Sequence, residues 1–314
     1  MKVTTVFLVS SYNRLALLHQ ACHCILDFIS NHTDFGLLVL DAGSEDGSKE
    51  YLRKIAGDYP NTVAVLIEED RPSFSEGVNR MFKRVLDFFP AATEGLLFET
   101  DNLIKNQQPV LDAVNLLRGN DLLGAVGFTV QNLQGLFLIP GSTFLKISAT
   151  ILGLQLSDKF GLERMQLNNW QKNSAIKWHY YDVLYTSPLL VKIDAWRKSG
   201  GMDAENFPFA ESDVHWAWKL AQAGFRKAII QCTGIIHDNQ STVSAWSAKR
   251  VYDVHKRRLR YMYLVKGRSA AALMRFPLAA RHLIEAMVFF FSFKNKERVQ
   301  ERLRMVYLAL KYYP

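Results

Sequence analysis

Leu96-Leu97-Phe98-Glu99-Thr100-Asp101-Asn102 carries an apolar strand straight into two carboxylates one residue apart. On an extended segment, side chains at i and i+2 project from the same side. Glu99 and Asp101 would then reach one hard cation whose other ligands are phosphate oxygens. A sheet that presents a divalent metal in this way is suited to handling a diphosphate. An acidic turn after a buried strand is the competing reading, and the surrounding elements have to decide between the two.

Those elements alternate. Val3 to Val9 is a short β-branched apolar run that stops at Ser10-Ser11-Tyr12-Asn13-Arg14, and Leu15 to Ile29 then shows helical spacing. Phe35 to Leu40 predicts a second strand, ending in Asp41-Ala42-Gly43-Ser44-Glu45-Asp46-Gly47-Ser48, with a helix from Lys49 to about Ala56. Val63 to Ile67 predicts a third strand. Alternation of this kind implies an α/β fold with a parallel sheet, whose ligands sit beyond the carboxyl ends of the strands. Each polar motif falls at such an end.

The ordered set Val9-Ser10-Ser11-Tyr12-Asn13-Arg14, Asp41 to Ser48 and Glu99-Thr100-Asp101 resembles the nucleotide-binding half of a family 2 glycosyltransferase of GT-A fold. Ser187 to Asp203 resembles that family's strand, helix and Gly-Gly-x-Asp turn. Phe209-Ala210-Glu211-Ser212-Asp213-Val214-His215-Trp216 resembles its acidic helix. The likeness spans residues 3 to 265, in order and at ordinary spacing. It implies a Rossmann-like nucleotide-sugar half over 1–105, an abutting acceptor-binding half over 106–265, and a helical C-terminal extension over 266–314.

The resemblance also implies inverting transfer from a nucleotide-diphosphate sugar (dTDP-, UDP- or GDP-linked), with rhamnosyl transfer from a dTDP-sugar the first subgroup to consider. Such chemistry needs a base for the acceptor hydroxyl and a cation for the leaving diphosphate. Asp213 is the expected base. Ser212 departs from a Glu-Asp pair, so Glu211 is a second candidate for base or acceptor positioning; acids favoured at a helix N-terminus are the structural alternative. Asp101 is the expected metal ligand for Mn2+ or Mg2+, and His237 the late histidine that helps bind metal or diphosphate. Glu99 replaces an Asp, which shifts it toward the ribose or a water-mediated metal contact beside Thr100. Ser241 and Thr242 are the expected phosphate donors. For base and ribose the expectation is Tyr12 along the pyrimidine ring, Ser10 and Arg14 on polar edges or phosphate, Asp41 accepting the pyrimidine N3–H, Gly43 and Ser44 allowing close approach, and Asn79 and Arg80 closing over the donor.

Composition agrees with a large folded catalytic domain: 314 residues, 49% hydrophobic and 22% charged. Met1 to Ser10 is needed as the first strand, which argues against a signal peptide. Three cysteines make no disulfide framework, and Cys22 and Cys24 on one helix point to different faces, which argues against zinc at His19-x-x-Cys22-His23-Cys24. A reducing cytoplasm fits. The net charge of +8 is unevenly placed: from Lys249 onward sixteen Lys and Arg face four acids, so the rest of the chain is slightly acidic. That basic tail is also apolar. Leu278 to Phe293 is too short and too charged for a spanning helix, and Val299, Leu303, Val306 and Leu310 follow helical spacing among arginines. The expectation is a peripheral contact with an anionic membrane surface, where a glycan or lipid-linked glycan acceptor of bacterial surface-polysaccharide assembly would sit. Packing on the catalytic domain or on a second subunit of a homo-oligomer is the alternative. Nucleic acid is excluded as a partner by the lack of any recognition motif. A degenerate, non-catalytic scaffold in a glycan-assembly complex remains the competing function. A nucleotidyltransferase would need a Gly-rich phosphate loop with a Lys near the first strand.

Overall fold

A computed structural model of the chain describes residues 2–138, 140–160, 171–173, 176–237, 248–291 and 296–311. The first half runs β1 (Thr5–Ser11), α1 (Leu15–Asn31), β2 (Phe35–Asp41), α2 (Ser48–Asp58), β3 (Val63–Ile67), α3 (Phe74–Phe88), β4 (Glu94–Leu97), β5 (Asn102–Ile104) and α4 (Gln108–Arg118). It continues through β6 (Leu123–Phe128), β7 (Val130–Gln131), β8 (Phe137–Leu138), β9 (Gly141–Ser142), α5 (Ile147–Leu152) and α6 (Leu154–Lys159). The remainder is β10 (Gln171–Asn173), β11 (Ile176–Tyr181), β12 (Val183–Leu184), β13 (Leu189–Lys192), α7 (Ile193–Ser199), α8 (Ser212–Gln222), β14 (Arg226–Gln231), β15 (Ile235–His237), α9 (Ala248–Lys266), α10 (Arg268–Phe291) and α11 (Lys296–Lys311).

The predicted alternation holds through β3. β1 and β2 are almost continuously apolar because both faces of a parallel sheet are covered. In α1 the buried residues Leu18, Ala21, Cys22, Ile25, Phe28 and Ile29 recur at helical spacing and pack on that sheet. Phe7 meets Phe28 and Phe98 edge-on at centroid distances of 5.4 and 5.7 Å.

One sheet has nine strands in the order β10-β11-β14-β6-β13-β4-β1-β2-β3. It is not wholly parallel. β3-β2-β1-β4 is, but β13 inserts antiparallel between β4 and β6. The insertion carries the residues just before β13, Thr186 and Ser187, to the carboxyl end of β4. A second sheet, β5-β15-β7-β8, lies in the same compact unit, which comprises residues 1–142 and 166–240.

The other compact unit comprises residues 143–165 and 241–314. α5 and α6 therefore group with α9, α10 and α11. Glu285 of α10 ties the unit together, paired with Arg281 Nε at 3.2 Å, Arg302 Nε at 3.1 Å and His282 Nδ1 at 3.2 Å. On α11 the buried face is Met305, Leu308 and Ala309, while Leu303 and Leu310 of the predicted stripe point outward.

Candidate active site

Polar groups at the two ends of the central strands behave differently. At the amino end of β4, Glu94 is buried but saturated: Thr5 and Thr93 hydroxyls and two Arg118 nitrogens donate to it at 2.8–3.1 Å. At the carboxyl ends, Asp41 Oδ2 and Asp101 Oδ1 are buried with no hydrogen-bond donor among the described residues. Unmet buried acceptors are costly in a fold that has no use for them.

The Glu99-Thr100-Asp101 segment is a turn, not the extended stretch expected, because Asn102 N donates to Glu99 O at 3.0 Å. The turn still brings the two carboxylates within electrostatic reach. Burial, with the Asp101 charge adding to it, pushes the Glu99 carboxyl up to about 7. Asp101 Oδ1 lies 3.5 Å from His237 Nδ1, and Asp101 Oδ2 lies 4.0 Å from Arg14 Nη1. The β5–β15 pairing places His237 there by setting it opposite Asn102. Asn102 donates to Ser187 Oγ, which orients its amide so that Oδ1 faces His237 Nδ1 at 2.9 Å.

A cleft of about 480 Å³ opens beside this group. Three carboxylates line it, Glu99, Glu211 and Asp213, with His237 and the hydroxyls of Thr186, Ser187 and Ser212. Its apolar wall includes Phe74, Tyr185 and Phe209, and Phe74 meets Phe209 edge-on at 5.9 Å. Asp213 is partly exposed at the cleft surface, yet the protein packed around its carboxyl pushes it up to about 7, with the Glu211 charge adding to the shift. Glu211 is the residue preceding α8 and adopts φ +61°, a left-handed conformation uncommon for a side chain of this size.

The expected nucleotide contacts separate into three groups. Asp41, Gly43 and Ser44 form a clasp with the segment after β1: Ser44 N donates to Asp41 Oδ1 at 2.9 Å, and Asn13 N donates to Ser44 Oγ at 2.9 Å. Asn13 is also left-handed, at φ +49°. Ser10 and Tyr12 flank this clasp, with the Arg71 guanidinium 3.7 Å from the centre of the Tyr12 ring. Thr100 is buried in the turn. Asn79 and Arg80 are engaged within the protein. Asn79 bonds the Met202 backbone at 2.8 and 2.9 Å, and Arg80 forks onto Asp70 and reaches Glu68 at 2.7 Å. Ser241 and Thr242 lie outside the described residues.

Sequence reasoning missed Asn102, Thr186 and Ser187. The only signal for the last two was a hydroxyl pair directly before an apolar strand, and only the antiparallel pairing of that strand makes it informative.

No family model and no curated protein matches the chain. Solved structures do. The mannosyltransferase PcManGT from Pyrobaculum calidifontis, in complex with GDP-Man and Mn2+, superposes with a TM-score of 0.54 at 15% identity, over 99% of this chain and 87% of that one. S. aureus TarS, residues 1–349, gives 0.53 at 13% identity, over 98% and 81%. The chain has a glycosyltransferase fold. In this fold, the turn after β4 and the start of α8 supply its cleft carboxylates.

The residues near Asp101 suit a divalent metal. Asp101 Oδ1 is a buried acceptor that lacks a donor among the described residues, His237 stands beside it, and both are hard or borderline ligands. Among the described residues no group of three or more His, Cys, Asp or Glu side chains is arranged to hold a metal alone. Any ion here would complete its shell with water and substrate oxygens.

Proposed function

We propose that this protein is an inverting family 2 glycosyltransferase, dependent on Mn2+ or Mg2+, that moves a sugar from a nucleotide-diphosphate donor to a hydroxyl of a glycan acceptor. One observation carries the reading: a carboxyl brought up to about 7, Asp213, shares a cleft with Glu99 and His237, next to the donor-less Asp101 oxygen. A base poised near neutrality is suited to taking a hydroxyl proton.

In this reading Asp213 accepts the acceptor's proton as the acceptor oxygen bonds the anomeric carbon. The bond from that carbon to the diphosphate oxygen breaks, and its electron pair leaves with the nucleotide. Asp101 and His237 would hold the metal, which when bound supplies charge neutralisation for the departing diphosphate. Arg14 adds a cation 4.0 Å from Asp101. Asp41 Oδ2 receives a donor from the base, and Glu211 positions the acceptor. The fold shared with PcManGT, solved with GDP-Man and Mn2+, supports a nucleotide-sugar donor. The resemblance of the sequence motifs supports bacterial surface-polysaccharide assembly at the cytoplasmic face of a membrane, with a dTDP-sugar the first donor to try.

Calorimetry with UDP, dTDP and GDP, each with and without Mn2+ or Mg2+, tests the reading. One nucleotide should tighten with metal, and Asp101→Ala should remove that dependence. Asp41→Ala should weaken a pyrimidine nucleotide by about tenfold or more, the loss of a hydrogen bond to a charged group. Binding of none of the three would favour the scaffold reading.

A further inference from the structure

α10, the longest helix of the α5, α6, α9–α11 unit, is apolar on its outward face and turns most of its charges inward. Three of its charged residues, Arg275, Arg281 and Glu285, face inward beside the buried Ala271, Met274, Leu278, Ala279 and Ala286. Arg281 donates to the Thr150 and Ile151 carbonyls at 3.1 and 3.0 Å, Arg275 donates to the Ala309 carbonyl at 3.0 Å, and His282 and Glu285 complete the internal network. Its large apolar residues face outward. Leu273, Phe276, Leu283, Ile284, Met287 and Phe291 recur at helical spacing, and Leu273, Phe276 and Phe291 are 72%, 65% and 73% exposed. The band runs about 27 Å along the helix. An ordinary surface helix keeps its outward face polar, and a contiguous exposed apolar band marks an interaction surface.

We propose that the outward face of α10 is a docking surface for an anionic lipid bilayer, on which the helix lies in the plane of the interface. No helix among the described residues is long and apolar enough to cross a membrane. Charge selects lipid over a second copy of the chain. From Lys249 onward Lys and Arg exceed the acids by twelve, sixteen against four. Two such surfaces brought face to face repel, whereas anionic headgroups attract them. Lys266 and Arg268 at the start of the band and Lys296, Arg298, Arg304 and Lys311 on α11 are exposed. The guanidinium carbons of Arg298 and Arg302 stand 5.5 and 5.8 Å from the centre of the Phe289 ring, which places cations at the border of the apolar band. This surface is independent of the glycosyl-transfer reading.

The test is flotation of the full-length protein with vesicles of phosphatidylcholine alone or mixed with phosphatidylglycerol, at low and high salt. Ile284→Glu and Phe291→Glu alter exposed positions, and Leu283→Ser is the milder variant if either glutamate disturbs folding. Thermal melting, light scattering and nucleotide binding are followed in parallel. The expected result is salt-sensitive binding to the anionic vesicles that falls about tenfold or more in each variant, with a monomer, an unchanged melt and unchanged nucleotide binding. Absence of vesicle binding, binding that the variants do not alter, or a dimer that the variants dissociate would each overturn the proposal. Vesicle binding without nucleotide binding would leave it standing while removing the glycosyl-transfer reading.

Discussion

Asp213 and Glu99 both titrate near 7 because burial penalises their charged forms and each has a further carboxylate nearby. Two consequences follow for Asp213. As the proposed base, it would work only when ionised, so the rate of transfer should rise with pH through about 7 and level off above it, and Asp213→Asn should abolish transfer while nucleotide binding persists. The stability effect has the opposite sense. A carboxyl whose folded-state affinity for the proton exceeds its unfolded one stabilises the fold at low pH, and that contribution is lost as pH rises through about 7. Asp213→Asn should therefore melt above the wild type at pH 8, with the difference shrinking toward pH 4; a lower melt at pH 8 would show that Asp213 is held for structure. The left-handed Glu211 agrees with a site that stores strain next to its reacting groups.

At the scale of the element, α3 is the link between the two edges of the cleft. Ser73 caps it in a reciprocal box with Glu76, Ser73 Oγ accepting from Glu76 N at 3.3 Å and Glu76 Oε2 accepting from Ser73 N at 2.7 Å. The first turn is then stitched to the segment before Phe209: Ser75 N donates to Pro208 O at 3.1 Å and Ser75 Oγ donates to Phe207 O. One turn on, Asn79 holds the Met202 backbone. Asn79 thus reads as a strut for the Gly200-Gly201 turn, where Gly201 at φ +62° has no room for a Cβ beside Asn79 Oδ1. Ser73→Ala should cost about 1 kcal/mol of stability, measurable by urea denaturation. Because Phe74 and Phe209 share the cleft wall, it should also weaken acceptor more than nucleotide.

At the scale of the whole molecule, the helical unit includes α9 as well as α10 and α11. α9 buries Leu259, Tyr261 and Met262, and it packs on α10 and α11; α5 receives Arg281 from α10. A chain ending at residue 265 should therefore melt below the full chain and aggregate, as measured by scanning calorimetry and light scattering, whereas a true domain boundary there would leave the melt unchanged. The alternating strands and helices and the polar motifs at the carboxyl ends of β1, β2 and β4 were legible in the chain, because hydrophobic periodicity and turn chemistry are local properties; the acidic start of α8 was legible through its resemblance to the family's acidic helix. Pairing between distant segments is not local. β13 reaches β4 across about ninety residues to bring Thr186 and Ser187 against Glu99 and Asn102, and β15 reaches β5 to set His237 beside Asp101. Charge and apolarity in the C-terminal residues were likewise plain in the letters, but which face of α10 turned outward depended on where Glu285, Arg302 and the α5 carbonyls stood to receive its polar side chains. A side chain's neighbours along the chain set its element; its neighbours in space, which close the hydrogen bonds and exclude the water, set its chemistry.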